Sequence, residues 1–435
     1  MKVSVPKTNQ PRVIIIGGGF GGITLAQSLK KQAVQVVMFD KNNYHTFQPL
    51  LYQVATGGLE PDSIAFPIRQ IFKKQDNFIF KMAEVESVDP ECNILYTSLG
   101  EIEYDYLVIA TGSRTNFFGM TQVQQHAVGM KNIPEALDLR SLILQSFERA
   151  SNEQDLEIKS TLMKFVVVGG GPTGVETAGA LAELKKFVLP NDYPELDMRQ
   201  MEIHLIEGGD KLLGGMTEEA SQNALKALEK LGVNVIFHTY VTNYDGTTVE
   251  TNTNKAFDAG TVIWSAGIVG NVIEGLDKAI LKGGGRVEVN RMNKVTGYDN
   301  IFAVGDVAHM ATEAYPNGHP QVAPAAIQQG GLLGKNIGRI LKGKELKPYI
   351  YYDKGSMATI GRNKAVVDWK NMHFKGFIAW MMWMFIHLLF LLGFRNKLVV
   401  FVNWIWSYFT YDKGTRLIIR PFKKLAPQQK EKVTA

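Results

Sequence analysis

Residues 165–176 read FVVVGGGPTGVE, and this stretch decides the fold. Its four leading apolar residues, three of them β-branched, predict a buried parallel strand. Gly169, Gly171 and Gly174 follow at GxGxxG spacing, and residues 175–184 are rich in Ala, Leu and Glu, which favours a helix. A strand, a glycine turn and a helix in this order are typical of a dinucleotide site, where backbone N–H groups meet a pyrophosphate at a helix N-terminus.

The same pattern occurs a second time, near the N-terminus. An apolar strand at residues 12–16 precedes Gly17, Gly19 and Gly22. Asp40 ends the next apolar run, 18 residues after Gly22. This is close to the roughly 20 residues expected for the acid that holds a nucleotide ribose. The alternative explanation is that these glycines serve packing alone. The position of Asp40 makes this alternative less favourable.

The two halves also match over a longer range. Gly17 and Gly112 are 95 residues apart, and Gly169 and Gly267 are 98 residues apart. Each interval ends with an Asp, an apolar strand and a small-residue turn, DYLVIATG in one half and DAGTVIWSAG in the other. Chance similarity between hydrophobic strands is the alternative. The pattern predicts a duplicated nucleotide-binding domain, with the second copy inserted in the first.

Composition limits the function classes. A chain of 435 residues is expected to hold two or three domains. The single cysteine, Cys92, excludes a disulfide within the chain, and we expect no metal site. The use of a single cysteine leads us to expect a cytosol-facing protein, and the N-terminus has no apolar signal segment. Residues 395–435 carry nine Lys/Arg against two acids, which favours an anionic membrane surface over nucleic acid. A solvated basic tail is the alternative.

The most apolar part of the chain is residues 376–394, which contain no acid, Lys or Arg over 19 residues. A second apolar run follows at residues 398–411, and five of the six tryptophans lie between Trp369 and Trp406. Three interpretations compete: a membrane span, a buried core helix, or a helix that packs on the protein and lies in the membrane interface.

Six motifs stand out in the chain: TFQPLLYQVATG (46–57), GGGPTGVE (169–176), VIWSAG (262–267), FAVGD (302–306), AIQQG (326–330) and GSMATIGRNKAV (355–366). Together they resemble the motifs of the flavoprotein reductases with two dinucleotide-binding domains and, within them, the type II NADH dehydrogenases. The resemblance implies an α/β fold with two Rossmann-like domains, the second inserted in the first, and a C-terminal membrane-anchoring helical region. We expect the FAD-binding domain at 1–125 and 290–345, the NADH-binding domain at 160–289, and the C-terminal region at 346–435.

The resemblance implies that FAD binds the first domain, with the first glycine loop under its pyrophosphate and Asp40 on its adenosine ribose. Asp306, beside Gly305 at the end of a strand, suits a ribityl hydroxyl, and an ordinary turn residue is the alternative. The long loop at residues 41–61 is expected to contribute contacts. The other residues assigned to FAD are Gly17, Gly19, Phe20, Gly22, Lys41, His45, Thr46, Leu50, Val85, Ala110, Thr111 and Gly112.

NADH is then expected in the second domain. Glu207, at the end of the next strand, should accept hydrogen bonds from ribose hydroxyls and repel a 2′-phosphate, so NADH is preferred over NADPH. A surface glutamate is the alternative. The other residues assigned to NADH are Gly169, Gly171, Thr173, Gly174, Ala266 and Gly267.

Glu176 is the candidate catalytic acid, expected in the first turn of the helix after the second glycine loop. Favourable placement in the helix dipole is the alternative. The resemblance implies that Glu176 contacts NADH and takes part in quinone-coupled protonation. It also assigns Gln328 and Gln329 to the quinone side. The family usually has A-Q-x-A-x-Q-Q there, but Pro324 stands at the first Gln position, so that contact does not carry over.

The implied activity is oxidation of NADH by hydride transfer to FAD, followed by reduction of a quinone without proton pumping. The expected partners are a membrane quinone, an anionic membrane surface and a second copy of the chain, with no nucleic acid. The expected location is the cytoplasmic face of a bacterial inner membrane, with monotopic attachment. The absence of a cysteine pair argues against disulfide and sulfide:quinone reductases. Two alternatives are a soluble NADH-dependent flavin reductase of another acceptor and a non-catalytic NADH-sensing flavoprotein.

Overall fold

The computed structural model describes residues 1–422, which form two compact units. The first unit comprises residues 1–46, 65–114 and 268–354. The second comprises residues 47–64, 115–267 and the described residues from Gly355 onward. The domain boundaries expected from the sequence remain predictions, and the part of the basic tail at residues 423–435 lies outside the described residues.

The first unit is built around a five-stranded parallel sheet. Its central strand is apolar on both faces, and Val13, Ile14 and Ile15 are fully buried. Ile15 pairs with Met38 on one side and with Val108 on the other. Across the sheet, the strands are Ile301–Ala303, Tyr106–Ile109, Arg12–Ile16, Gln35–Asp40 and Phe78–Met82.

Two helices, Phe20–Ser28 and Ala323–Ile340, pack closely together against this sheet. A Cβ added to Gly330 would lie 2.3 Å from the carbonyl oxygen of Gly21, so only glycine permits this approach. Leu25 and Leu333 join Val13 in the shared core. The glycine-rich sequence of the later helix therefore serves helix packing.

Smaller elements complete the first unit. Residues 78–82 pair in parallel with Gln35–Asp40 and extend the main sheet. The reason is that Phe80 is buried in the core beneath the sheet. The other strands and helices are Tyr44–Thr46, Ala65–Pro67, Ile68–Ile71, Val85–Asp89, Ile94–Thr97, Gly100–Glu103, Ser113–Thr115, Ile268–Gly270, Lys278–Ile280, Leu281–Lys282, Arg286–Glu288, Gly305–Val307 and Ala308–His309.

The second unit contains a four-stranded parallel sheet. Residues 165–167 of the opening stretch are fully buried in its interior. The helix after the glycine loop begins at Pro172 and ends at Glu183, three residues earlier at its start than predicted. Proline at the first helical position explains the earlier start, because its fixed φ suits the helix and its missing N–H is not needed there. The strands in order are Asn234–Ile236, Glu202–Ile206, Lys164–Val168 and Thr261–Trp264.

The longest helix of residues 115–267 is Ile133–Asn152. The side chain of Asn132 caps it by accepting a hydrogen bond from the backbone N–H of Glu135 at 2.9 Å. The other elements of residues 115–267 are Thr121–His126, Leu156–Leu162, Leu184–Val188, Leu189–Asp192, Met198–Gln200, Glu218–Lys230, Val241–Tyr244, Thr248–Thr251 and Ala256–Asp258.

Residues 41–61 were expected to form a loop, but much of this stretch is helical. A 3-10 turn, Gln48–Leu50, leads into the helix Leu51–Ala55, and Pro61–Ile64 forms a further turn of helix. Leu50 and Val54 are fully buried. The apolar residues at helical spacing decided the local structure here, against the polar and glycine residues around them.

The C-terminal part of the second unit is a three-stranded antiparallel sheet followed by two helices. Its strands are Ser356–Gly361, Lys364–Trp369 and Met372–Lys375, and its helices are Gly376–Phe390 and Phe394–Thr410. The apolar run 376–394 is thus not one segment, because the chain turns at Gly393, whose φ is +81°. Among the helices within residues 1–422, none combines the length and the apolar character needed to cross a bilayer.

Candidate functional site

The two glycine loops have the same backbone geometry. Gly17 and Gly169 have φ angles of +108° and +104°, a region that favours glycine. A Cβ on Gly17 would lie 2.3 Å from the carbonyl oxygen of Ala110. A Cβ on Gly22 or Gly174 would lie 2.0 or 1.8 Å from the carbonyl oxygen of the loop's first glycine. The fold itself therefore requires glycine at the outer positions of both motifs.

The middle glycines, Gly19 and Gly171, have no such role. Apart from the chain neighbours of each glycine, no atom in the part of the chain described lies within 4 Å of a Cβ added at either position. Each of them opens the N-terminus of the helix that follows, where unpaired N–H groups and the helix dipole favour an anion. The open space and the donors fit the pyrophosphate of a dinucleotide in both units.

An acid at the end of the second strand holds each glycine loop. The carboxylate of Asp40 accepts a hydrogen bond from the backbone N–H of Gly18 at 2.6 Å, and that of Glu207 accepts one from Gly170 at 2.5 Å. A further backbone N–H bonds the other oxygen of each acid. Burial raises the pKa of Asp40. Each carboxylate oxygen has two lone pairs, so both acids retain acceptor capacity for a ribose hydroxyl.

His45 contacts the backbone of the first glycine loop. Its side chain is buried, and its Nδ1 lies 2.9 Å from the carbonyl oxygen of Gly18. Burial lowers the pKa of His45, so the ring is neutral and Nδ1–H donates this bond. The ring of Phe20 meets it edge-on at 4.9 Å. His45 thus contacts the loop backbone. Thr46 follows it in the strand Tyr44–Thr46, and Lys41 directly follows the strand Gln35–Asp40.

The small-residue turn after Tyr106–Ile109 lies next to this loop. Ala110 contacts Gly17, and Gly112 has φ +68° with open space around it. Thr111 is tied to Asn271 by two hydrogen bonds, of 2.5 and 3.1 Å. Asn271 was not singled out from the sequence, because its partner lies 160 residues away. Of the remaining FAD predictions, Val85 begins a strand of the first unit, and Leu50 is buried in the second unit.

Asp306 lies in the 3-10 turn Gly305–Val307, three residues after the end of the strand Ile301–Ala303, and its contact with a ribityl hydroxyl stays a prediction. Its carboxylate accepts a hydrogen bond of 2.6 Å from the hydroxyl of Ser113. The amide oxygen of Gln329 accepts a bond of 2.7 Å from the backbone N–H of Gly305. The amide of Gln328 exchanges two hydrogen bonds with backbone atoms of Tyr352. Both glutamine amides thus bond backbone groups of the first unit, and a catalytic role for them stays a prediction.

The NADH predictions lie together in the second unit. Ala266 lies against Gly169, and a Cβ added to Gly169 would lie 2.9 Å from the Cα of Ala266. Gly267 accepts a backbone hydrogen bond from Asn116, and the ring of Phe118 lies within 2.9 Å of where its Cβ would be. Thr173 is exposed in the first turn of the helix that begins at Pro172. Phe118 was missed because an aromatic residue in a loop has no distinct pattern.

Glu176 is buried, with 8% of its surface exposed. It is the fifth residue of the helix Pro172–Glu183, so the predicted first-turn position is wrong, and the helix dipole does not explain this acid. Burial raises the pKa of Glu176 to about 8, partly offset by the backbone N–H of Thr359 and the indole of Trp383. The Thr359 N–H lies 3.4 Å from Oε1, and within residues 1–422 the Trp383 indole N–H has no hydrogen bond of normal geometry.

Glu176 faces a cavity of about 120 Å³ inside the second unit. The cavity walls come from the helix of Glu176, the short helix Leu51–Ala55, the strand Ser356–Gly361 and the two C-terminal helices. The side chains that line it include Tyr52, Glu183, Trp383, Trp404, Tyr408 and Lys413. An ionisable carboxyl in an aromatic cavity is a candidate for proton transfer.

Aromatic side chains form one wall of this cavity. Trp383 stacks on His387 at 4.0 Å, and burial lowers the pKa of that histidine to about 4, so it is neutral. The indole N–H of Trp404 donates to the amide of Gln53 at 2.8 Å. Burial, with the nearby charge of Glu176, raises the pKa of Tyr52 well above its ordinary value. These neutral aromatic groups contribute to the burial that raises the pKa of Glu176.

Two cationic side chains, Lys413 and Arg362, also line the cavity. Lys413 donates to the carbonyl oxygen of Ala180 at 3.4 Å, and burial lowers its pKa. The guanidinium of Arg362 lies 3.8 Å from the ring centre of Tyr411 and 4.2 Å from that of Tyr408. The clustering of tryptophans pointed to this region. The sequence did not show that Lys413 and Arg362 would meet the helix of Glu176.

The two C-terminal helices also present an exposed apolar surface, which we call the apolar surface. It is formed by Phe377, Ile378, Met381, Phe385, Leu389, Phe394, Leu398, Phe401, Val402, Ile405, Trp406 and Phe409, each more than two-fifths exposed. An exposed apolar patch of this kind marks an interaction site, because water is a poor solvent for it.

Known proteins that are similar to this chain show the class of protein to which it belongs. The family model of pyridine nucleotide-disulphide oxidoreductases matches residues 11–330, and the chain belongs to this family. A second model, the NDH2 C-terminal domain, matches residues 353–410. The chain is 36% identical over 419 residues to the type II NADH:quinone oxidoreductase Ndh of Mycobacterium tuberculosis, covering 93% of this chain and 89% of that protein. The chain is therefore a member of the type II NADH:quinone oxidoreductase family.

More distant relatives agree with this membership. A type II NADH:quinone oxidoreductase of Staphylococcus aureus is 29% identical over 82% of this chain and 89% of its own length. The structure of NDH2 from Plasmodium falciparum in complex with NADH matches with a TM-score of 0.86 at 22% identity, over 95% of this chain and all of that one. At that identity the match shows the fold. The predicted family, the α/β fold class and the oxidoreductase class are confirmed.

Proposed function

We propose that this chain oxidises NADH and reduces a quinone, with FAD as the carrier between them. The observation that carries the proposal is the carboxyl of Glu176, held protonated near neutral pH beside an aromatic cavity. The relatives named as NADH:quinone oxidoreductases support the same activity. FAD, when bound, supplies the capacity to accept a hydride and to release two electrons.

NADH binding is proposed at the second glycine loop. The backbone N–H groups at the start of Pro172–Glu183 hold the pyrophosphate, and Glu207 accepts from the ribose hydroxyls. FAD is proposed at the first loop, with Asp40 and Asp306 as acceptors for its sugar and ribityl hydroxyls. The matching geometry of the loops and the room in front of Gly19 and Gly171 support both assignments.

Glu176 is proposed to deliver a proton to the quinone. Reduction of a quinone to a quinol consumes two electrons and two protons, whereas NADH supplies two electrons and one proton as a hydride. The second proton comes from solvent through a protein group. A carboxyl with a pKa of about 8 holds a proton at pH 7 and can release it when a stronger base forms beside it. Neutral His387 leaves Glu176 without a competing cation on the aromatic wall.

Membrane attachment is proposed through the apolar surface, with the quinone reaching the cavity from the lipid side. The cavity shares Trp383 and Trp404 with the helices that carry this surface. We further propose the cytoplasmic face of a bacterial inner membrane as the location and a homodimer as the assembly. Sedimentation of the detergent-solubilised protein tests the dimer: a single species at monomer mass contradicts it.

Steady-state NADH oxidation with a soluble quinone analogue tests the activity. We expect NADH consumption matched one to one by quinol formation, with purified FAD-loaded protein. NADH consumption with another acceptor but never with quinone would support the soluble flavin reductase instead. NADH binding without turnover of any acceptor would support the non-catalytic sensor.

A further inference from the structure

An exposed aromatic ring lies beside the proposed ribose acid. Tyr240 follows the strand Asn234–Ile236, and 61% of its surface is exposed. Its ring nevertheless packs directly on Gly208, where an added Cβ would lie 2.3 Å from the ring carbon Cε1. Any side chain at residue 208 would displace the ring. Gly208 follows Glu207 directly, so the ring is fixed next to the acid.

Backbone hydrogen bonds hold the loop of Tyr240 in place. The N–H of Thr239 donates to the carbonyl oxygen of Glu207 at 3.1 Å, and that of His238 donates to Gly209 at 3.0 Å. The side-chain oxygen of Asn252 accepts from the N–H of Tyr240 at 2.7 Å, and the N–H of Asn252 donates back at 3.0 Å. His238 adopts a φ of +52°, which turns the chain at this point. The backbone that carries the ring is therefore fixed.

A large ring that is held rigidly and left exposed needs an explanation, because apolar rings without a partner are usually buried. Covering Gly208 is the simplest one, but a smaller side chain would cover a glycine equally well. A flat ring next to a ribose acid matches the needs of a nucleotide base. Bases stack on aromatic side chains, because both present a π-face and the contact excludes water.

We propose that Tyr240 is the stacking platform for the adenine of NADH. This rests on the proposed function, which puts the adenosine ribose on Glu207 and the pyrophosphate on the loop of Gly171. The adenine extends from the ribose past residue 208 and lies against the exposed side of the Tyr240 ring. Tyr240 is a binding residue for the adenosine half and does not touch the nicotinamide that reacts.

Two ligands separate the halves of the dinucleotide. ADP-ribose carries the adenine, and reduced nicotinamide mononucleotide lacks it. Calorimetric titration of FAD-loaded protein with ADP-ribose gives the affinity for the adenosine half without turnover. Oxidation of reduced nicotinamide mononucleotide, read as kcat/KM, reports the nicotinamide half. The variants are Tyr240→Ala, Tyr240→Phe, which keeps the ring, and Tyr96→Ala, an exposed tyrosine on a sheet of the first unit, as a matched control.

We expect Tyr240→Ala to weaken ADP-ribose binding about ten-fold, within the range measured for loss of one base stack. We expect Tyr240→Phe and Tyr96→Ala to stay within two-fold of the wild type, and kcat/KM for reduced nicotinamide mononucleotide to be unchanged in all three. ADP-ribose affinity within two-fold of wild type in Tyr240→Ala overturns the proposal. Equal losses for both ligands also overturn it, because they indicate a general disturbance of the nucleotide loop. If the wild type binds no ADP-ribose, the proposed NADH site itself fails.

Discussion

Replacing Glu176 with Gln tests whether this acid is buried in its protonated form. Burial raises the pKa from the ordinary 4.5 to about 8 in the folded protein. The two values differ by about 3.5, and each pKa unit is worth about 1.36 kcal/mol, so full ionisation of Glu176 destabilises the fold by about 5 kcal/mol. Glutamine has the same shape and stays neutral, so Glu176→Gln avoids this penalty at every pH.

The sign of the pH dependence follows from proton binding. Below pH 4.5 the acid is protonated in both the folded and the unfolded states, and the wild type and Glu176→Gln have similar pH dependence. Between pH 4.5 and pH 8 the unfolded state loses its proton first, so the wild type becomes less stable than the variant as pH rises. At pH 7 the penalty has reached about 3 kcal/mol, and above pH 8 it levels off.

Thermal unfolding of FAD-loaded protein at pH 5, 7 and 9 measures this difference. We expect the melting temperature of Glu176→Gln to exceed that of the wild type by a margin that grows by several degrees from pH 5 to pH 9. Glu229→Gln, an exposed carboxyl on the helix Glu218–Lys230, is the control and should show a margin independent of pH. A constant or shrinking margin for Glu176→Gln would show that Glu176 is ionised in the folded protein and refute the reasoning.

The other predictions concern the nucleotide loops and the membrane. Gly171→Ala should leave the melting temperature unchanged but weaken NADH binding at least ten-fold, because the added Cβ occupies only the space proposed for the ligand. Gly174→Ala should lower the melting temperature, because the added Cβ would lie 1.8 Å from a carbonyl oxygen. Equal melting temperatures of the two variants would contradict this. Glu207→Gln should raise the ratio of NADPH to NADH turnover about ten-fold, since it removes the charge that repels a 2′-phosphate, and Glu202→Gln on the same strand should not. Replacing both Phe385 and Phe401, which are 64% and 45% exposed, with Asp should reduce flotation with anionic lipid vesicles more than ten-fold and leave NADH binding intact; unchanged flotation would remove the apolar surface from the membrane proposal.

The nucleotide loops could be predicted from the sequence, because their chemistry is local. A tight turn, a close helix and an acid at the next strand end depend on residues within one βαβ unit. The structure accordingly gives Gly17 and Gly169 nearly equal φ angles and joins Asp40 and Glu207 to their loops by equivalent hydrogen bonds. Repetition of the whole pattern strengthened each half of the prediction.

The cavity beside Glu176 could not be predicted, because distant parts of the chain meet the helix of Glu176 there. Tyr52, Thr359 and Lys413 reach it from separate segments. The raised pKa is a consequence of that burial and leaves no trace in the local sequence. Even the position of Glu176 in its helix was misjudged by three residues, because Pro172 was read as part of the turn.

The C-terminal region shows why apolar runs are ambiguous. Continuous hydrophobicity at residues 376–394 hid the turn at Gly393, which splits the run between two helices. These helices bury some side chains against the protein and leave others exposed. Trp383 is buried, whereas Phe385, two residues later, is 64% exposed. Periodicity alone could not assign these faces, because nearly every position is apolar.

The most direct test of the proposed electron path is anaerobic rapid mixing of the FAD-loaded protein, first with NADH and then with a quinone analogue. We expect NADH to bleach the flavin absorbance and quinone to restore it. In Glu176→Gln, bleaching should keep at least a third of the wild-type rate, and recovery should slow at least ten-fold at pH 7, because the variant has no proton to deliver. Recovery at the wild-type rate in Glu176→Gln, or bleaching that quinone never reverses in the wild type, would contradict the proposal.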